Sequence, residues 1–138
     1  MSTPPITRTG AVLSLVEDGW RGARVCSLAL SQRRIPVTHL IKGRLPADVQ
    51  RMIRPYPHVR MVSAPRSLFP LRAWTMLILG AALGRIRALL VDRPRTLRTL
   101  SPWCRIFRVT PLFIRDTPHG FDLEHEGRPV AFDEIFRD

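Results

Sequence analysis

Lysine is all but missing from this 138-residue chain: of 22 lysines and arginines, only Lys42 is a lysine. Acidic residues are also scarce, 11 in all, which leaves a formal net charge of +11. Such a surface draws phosphates, nucleic acid or anionic lipid from a distance, and salt weakens the attraction. Codon usage in a GC-rich genome explains an arginine bias as well as selection for ligand contacts does. The arginines are spread over every predicted helix, a pattern that reads as solvated faces rather than one recognition stripe. Cysteine is limited to Cys26 and Cys104, with no CxxC pair and no Cys/His cluster. That argues against a zinc site and for a reducing compartment. The opening MSTPPITRTG has no apolar core of the signal-peptide kind, so a cytoplasmic address is expected. The longest apolar run, Ala73 to Gly84, is about half of the roughly 20 residues that span a bilayer.

What the chain does contain is organised around residues 10–42. Ala11 to Val16 is short and apolar and stops at Glu17-Asp18-Gly19. From Arg21 to Arg34, apolar residues including Val25, Leu28 and Ala29 recur at helical spacing. Pro36 to Ile41 is apolar again. Strand, helix and strand at these lengths predict a parallel βαβ unit with a right-handed crossover.

The remaining chain continues the alternation. A short helix is expected after Pro46, then a strand over His58 to Ala64. Leu68 to Arg87 reads as an apolar helix packed on the sheet, Ala88 to Val91 as a fourth strand, and Pro94 to Phe107 as a helix that Pro102 kinks or splits. Thr110 to Arg115 is a fifth strand, taken as an edge because of Pro111. A hairpin from Phe121 to Ala131 and a short terminal helix form an appendage. The expected fold is a single α/β domain, doubly wound, with five mainly parallel strands in the order 3-2-1-4-5. A chain of this length buries roughly two-thirds of its unfolded surface, enough for one core.

In such a sheet the ligand crevice lies at the carboxyl ends of the strands, where the strand order reverses. That rule selects Glu17 together with Asp18, Gly19, Arg21 and Gly22 after strand one, Lys42 after strand two, and Arg66 after strand three. It also selects Gly43 and Arg44 beside Lys42, Asp92, Arg93 and Arg95 after strand four, and Arg115 with Asp116 after strand five. A cation near each strand end favours an anionic ligand, and a helix starting near Gly19 to Gly22 would point N–H groups at a phosphate. Glu17 and Asp18 oppose an anion unless a hydroxyl-bearing sugar or a metal lies between. Asp92 has two readings, metal or hydroxyl ligand and helix cap, and the cap is the commoner use.

The familiar catalytic signatures are missing. GWRG is not GxGxxG, and Lys42 occupies the place of an acidic ribose ligand, which argues against a standard NAD site. Leu89 to Asp92 has a Walker B texture, but no GxxxxGK[ST] accompanies it. Ser14, Ser27 and Ser63 lack a nucleophile elbow. His39 reads as a packed core imidazole, and His119 and His125 as surface residues of the appendage. The aromatics form no stacking platform, so specific nucleic-acid recognition has no support. No catalytic residue, metal site or cofactor is assigned.

Gly19, Gly22 and the run ARVCSLALSQRR followed by IPVTHLIK resemble the opening of the N-terminal domain of GT-B glycosyltransferases. The resemblance covers residues 10–42. It implies a Rossmann-like domain that mainly holds the acceptor, with the turn from Asp18 to Gly22 approaching the donor phosphates. The sugar-nucleotide site of that family lies largely in a second Rossmann domain, absent from this sequence. SLALSQRRIPVTHL also resembles the first unit of the pre-ATP-grasp domain of ATP-grasp ligases. Both resemblances imply half an enzyme, which needs a partner domain or subunit. Two expectations follow. The first is a module binding a phosphorylated or nucleotide-sugar-like ligand at Asp18, Gly19, Arg21, Gly22, Lys42, Arg66, Asp92, Arg93 and Arg95. The second is a non-enzymatic basic module that meets an anionic membrane surface, at the inner face of the membrane, or a partner protein through the 68–87 helix.

Overall fold

A computed structural model describes residues 12–17, 26, 28–32, 34–43, 51, 58–118, 120–131 and 135. The strands are β1 (Val12–Val16), β2 (Val37–Lys42), β3 (Val59–Ala64), β4 (Ala88–Val91), β5 (Thr110–Thr117), β6 (Gly120–His125) and β7 (Arg128–Val130). Two helices have described bounds, α1 (Phe69–Ala82) and α2 (Pro94–Phe107), and residues 28–32 are also helical. The expected helix after Pro46, apart from Arg51, and most of the tail helix lie outside the described residues.

One sheet carries all seven strands in the order β3-β2-β1-β4-β5-β6-β7. The first five run parallel, so the expected 3-2-1-4-5 core is present. The five-strand count and the appendage are corrected: β6 pairs antiparallel with β5 and β7 with β6, extending the same sheet. β5 is therefore internal, despite Pro111. The Thr110 N–H reaches the Arg87 carbonyl at 2.9 Å on the β4 side, so the alternate residue, Pro111, turns its missing donor the other way. There β6 has already ended, since its pairing with β5 runs from Gly120 opposite Thr117 to Glu124 opposite Phe113. The hairpin turn holds Glu126 and Gly127 at φ 54° and 79°, the two left-handed positions of a tight turn whose twist matches its strands.

β1 and β4 are buried on both faces, which explains why they are apolar at every position but Ser14. Val12, Val37, Leu90 and Leu112 face one side, with Cys26, Leu30 and Ile135 packed over them. Leu13, Leu15, Leu89 and Val91 face the other, under Phe69, Ala73 and Leu77 of α1 and Leu100 and Cys104 of α2. The helical segment between β1 and β2 thus covers one face, while α1 and α2 cover the opposite one. Right-handed crossovers that proceed in opposite directions from β1 produce this two-sided arrangement.

α1 stops at Ala82, short of the expected Arg87, and Leu83-Gly84 turns the chain so that the Arg85 N–H bonds the Gly80 carbonyl at 2.7 Å. α2 is a single helix with Pro102 inside it; Pro102 is exposed, so the Arg98 carbonyl that loses its partner lies on the solvent side. Gly80 is fixed by close approach, because a Cβ there would lie 2.2 Å from Ile86 Cδ1 and 2.7 Å from its Cγ1. Alanine is the better helix former by about 1 kcal/mol. Even so, Gly80→Ala should lower stability in urea denaturation by roughly 1–2 kcal/mol through overpacking. In an Ile86→Ala background the same substitution should become stabilising, and equal effects in both backgrounds would refute the contact as its cause.

Candidate functional site

β1 and β4 end side by side, with Leu15 opposite Val91, and the residues that leave them meet. The Glu17 N–H donates to both carboxylate oxygens of Asp92, at 3.2 and 3.0 Å. The helix that follows has Arg93 at its N-cap, without a side-chain cap, and Asp92 stands one residue earlier. Asp92 therefore clamps the switch point shut across the two strand ends. This is a use of the residue that neither the cap nor the ligand reading anticipates.

The Glu17 side chain extends to the α1/α2 side. Its Oε1 lies 3.3 Å from Lys42 Nζ at the end of β2, and its Oε2 accepts a 2.5 Å hydrogen bond from Thr96 Oγ1 of α2. The Lys42 ammonium also lies 5.9 Å from the centre of the Phe69 ring. The Glu17 side chain is only 6% exposed, against 29% for Lys42, so this pair is better sheltered than an ordinary surface ion pair. One carboxylate thus ties together β1, β2 and the first turn of α2.

Beside it opens a cleft of about 350 Å³. Phe69, Pro70, Ala73 and Leu100 form its apolar wall; Glu17, Lys42, Thr96 and Thr99 supply polar groups; Arg93 and Arg95 complete the lining. Its volume lies at the lower end of the range for small-molecule pockets. The first turn of α2 contains a proline and no acidic residue of its own, and the carboxylate that meets its positive end is Glu17, through Thr96. Anionic groups fit the arginine side, and hydroxyl donors fit the remaining lone pairs of Glu17.

Of the residues selected from sequence, Lys42, Asp92, Arg93 and Arg95 come together here. Asp18, Gly19, Arg21 and Gly22 lie outside the described residues. Arg66 is exposed and sits by Gly43, its Nε 3.7 Å from where a Cβ would stand, and does not line the cleft. Thr96, Thr99 and the α1 wall are the residues that sequence reasoning missed. Thr96 left a usable trace, a hydroxyl in the first turn of the helix after strand four.

Three other nucleophile-type groups are withdrawn from solvent, whereas Ser63 is exposed. Ser14 is buried, as are Cys26 and Cys104, whose thiols burial pushes up to about 12, so neither supplies a thiolate at neutral pH. Among the described residues no group of three or more His, Cys, Asp or Glu is placed to hold a metal. A larger hollow of about 500 Å³ lies along β6 and β7, away from the switch point. Two of the charged groups lining it, Arg115 and Glu124, are paired with each other at 3.0 Å. No protein-family model, no curated protein and no solved structure matches the chain.

Proposed function

We propose that this chain is a Rossmann-like binding module whose switch-point cleft takes a small anionic, hydroxyl-bearing ligand of the phosphorylated-sugar or nucleotide class. The observation that carries the reading is the convergence of Glu17, Lys42 and Thr96 beside Arg93 and Arg95 at one cleft. The arginines receive the phosphate, and their planar forks can grip it with two hydrogen bonds each. Glu17, already oriented by Lys42 and Thr96, accepts from a sugar hydroxyl. On this division of labour the carboxylate, already paired with Lys42 and Thr96, answers to the hydroxyls of the ligand and the arginines to its phosphate. The resemblance of residues 10–42 to the acceptor side of GT-B glycosyltransferases points to the same ligand class. On this reading a second domain or subunit supplies whatever else a reaction needs.

The test is a thermal-shift screen of nucleotides, sugar nucleotides and phosphosugars, followed by calorimetry at low and moderate salt. A ligand at 100 times its dissociation constant adds about 2.7 kcal/mol of stability, an easily read shift. Arg93→Ala and Arg95→Ala should each weaken binding of the best compound by about tenfold or more, with a smaller salt dependence. Unchanged affinity in both, with the fold intact, would mean that the cleft is not an anion site.

A further inference from the structure

α1 is apolar almost all round, with Arg72 and Thr75 its only polar side chains, yet among the described residues only one side of it is covered. Phe69, Ala73 and Leu77, four residues apart, face the sheet. On the other side Leu71 is 63% exposed, Leu79 59% and Leu83, just past the helix, 66%. The apolar surface does not end with α1. Trp74 meets Trp103 of α2 edge to face, ring centres 5.6 Å apart, both rings remain partly exposed, and Ile106 lies exposed one turn along α2. The two helices thus share a continuous apolar outer surface.

Its surroundings are of one charge. Between residues 65 and 115 there are ten arginines and a single acidic residue, Asp92, which is engaged at the switch point. All ten arginines are exposed. Arg98 and Arg105 are seven residues apart, two turns, and so line one outer edge of α2 next to the apolar surface, with Arg72 on the far flank of α1. In the folded chain, therefore, arginines that looked scattered in the sequence border an apolar face that carries two tryptophans. No helix among the described residues is long and apolar enough to cross a membrane.

We propose that the outer face of α1 and α2 docks flat on an anionic lipid surface. Leu71, Leu79, Leu83 and Ile106 enter the acyl boundary, the tryptophan pair sits at headgroup level, and the arginines contact lipid phosphates. Charge decides the occupant. A second copy of this chain would bring the same arginines to the interface, and an uncharged apolar partner would leave them facing nothing. The cleft reading is independent of this one, since neither the exposed leucines, the tryptophan pair nor Arg72, Arg98 and Arg105 line the cleft.

The test is flotation of the full chain with phosphatidylcholine vesicles and with vesicles containing 30% phosphatidylglycerol, a composition chosen to supply the anionic headgroups. Binding should require the anionic lipid, weaken with salt, and shift tryptophan emission to the blue. Leu71→Ser/Leu79→Ser and Arg98→Gln/Arg105→Gln alter exposed positions and should fold normally by circular dichroism. Each should reduce partitioning onto the anionic vesicles by at least about tenfold. Several results would overturn the proposal: equal binding to neutral vesicles, no binding to either, or full binding by the leucine variant. A dimer broken by Leu71→Ser/Leu79→Ser, without vesicle binding, would show that a second copy covers the face instead. Binding to soluble polyglutamate as tight as to vesicles would show an acidic protein surface as its partner.

Discussion

Leu77→Ala should cost about 2–5 kcal/mol of stability, whereas Leu79→Ala, two residues further along the same helix, should cost less than about 0.5 kcal/mol. The two leucines are chemically identical and lie in the same apolar run, so only their rotation about the α1 axis distinguishes them. Leu77 is 0% exposed and belongs to the core cluster with Leu13, Leu15, Leu89 and Leu100. Truncating it removes buried methyl groups and leaves a cavity that the flanking strands, fixed by their ladders, fill only in part. Leu79 spends its side chain largely on solvent, and its loss changes little that folding had buried. Urea denaturation reads both effects, as a fall in midpoint for Leu77→Ala at unchanged slope. Comparable losses at both sites would mean that the outer side of α1 is covered, and the docking surface described above would not exist. Negligible losses at both would mean that α1 does not seat on the sheet.

The contrast between those leucines also marks how far the sequence could be read. Periodicity placed Pro94 to Phe107 with its observed bounds, and the short apolar runs at Ala11 to Val16 and Ala88 to Val91 marked the strands that the order 3-2-1-4-5 sets side by side. It did not say which side of α1 would be covered, because a helix apolar all round has no pattern that points inward. It gave no sign that the hairpin would join the sheet, since strand pairing depends on what stands at the edge and Pro111 pointed the wrong way. Seven-residue spacing of Arg98 and Arg105 was legible, but arginine is so frequent that its spacing alone stood out against nothing.

The site shows the same limit in a different form. The strand-order rule brought Glu17, Lys42, Asp92, Arg93 and Arg95 to one crevice. It could not tell that Lys42 would pair with Glu17, or that Asp92 would take the Glu17 N–H. Pairings of that kind depend on side-chain reach across three elements. Thr96 and Thr99 were unseen because they matter only once the rotation of α2 about its axis is known.

Acidification from pH 6.5 to pH 4 should remove roughly 3 kcal/mol of stability through one side chain, His39. It lies in β2, with Ser14 of β1 and Met61 of β3 as its register partners, and is 0% exposed. Burial disfavours the imidazolium and lowers the His39 pKa from 6.5 to about 4. The sign follows from proton counting. Above pH 6.5 neither the folded nor the unfolded chain protonates this ring appreciably, and the full stability is present. Between pH 6.5 and about 4 the unfolded chain binds a proton that the folded chain refuses, so each unit of acidification favours unfolding by about 1.4 kcal/mol. Below about pH 4 the ring charges in both states and the loss levels off. Urea denaturation between pH 7.5 and pH 4 should therefore show a falling limb that His39→Gln flattens, even if that variant is less stable at every pH. The carboxylates are common to both proteins, so the difference between the two limbs isolates the histidine. In NMR, the ring protons of His39 in the folded chain should hold their neutral shifts down to about pH 5, where those of an exposed histidine have already moved. A ring that titrates near 6.5, or an acid limb that His39→Gln leaves untouched, would mean that water or a carboxylate reaches the β2 face on which the imidazole lies.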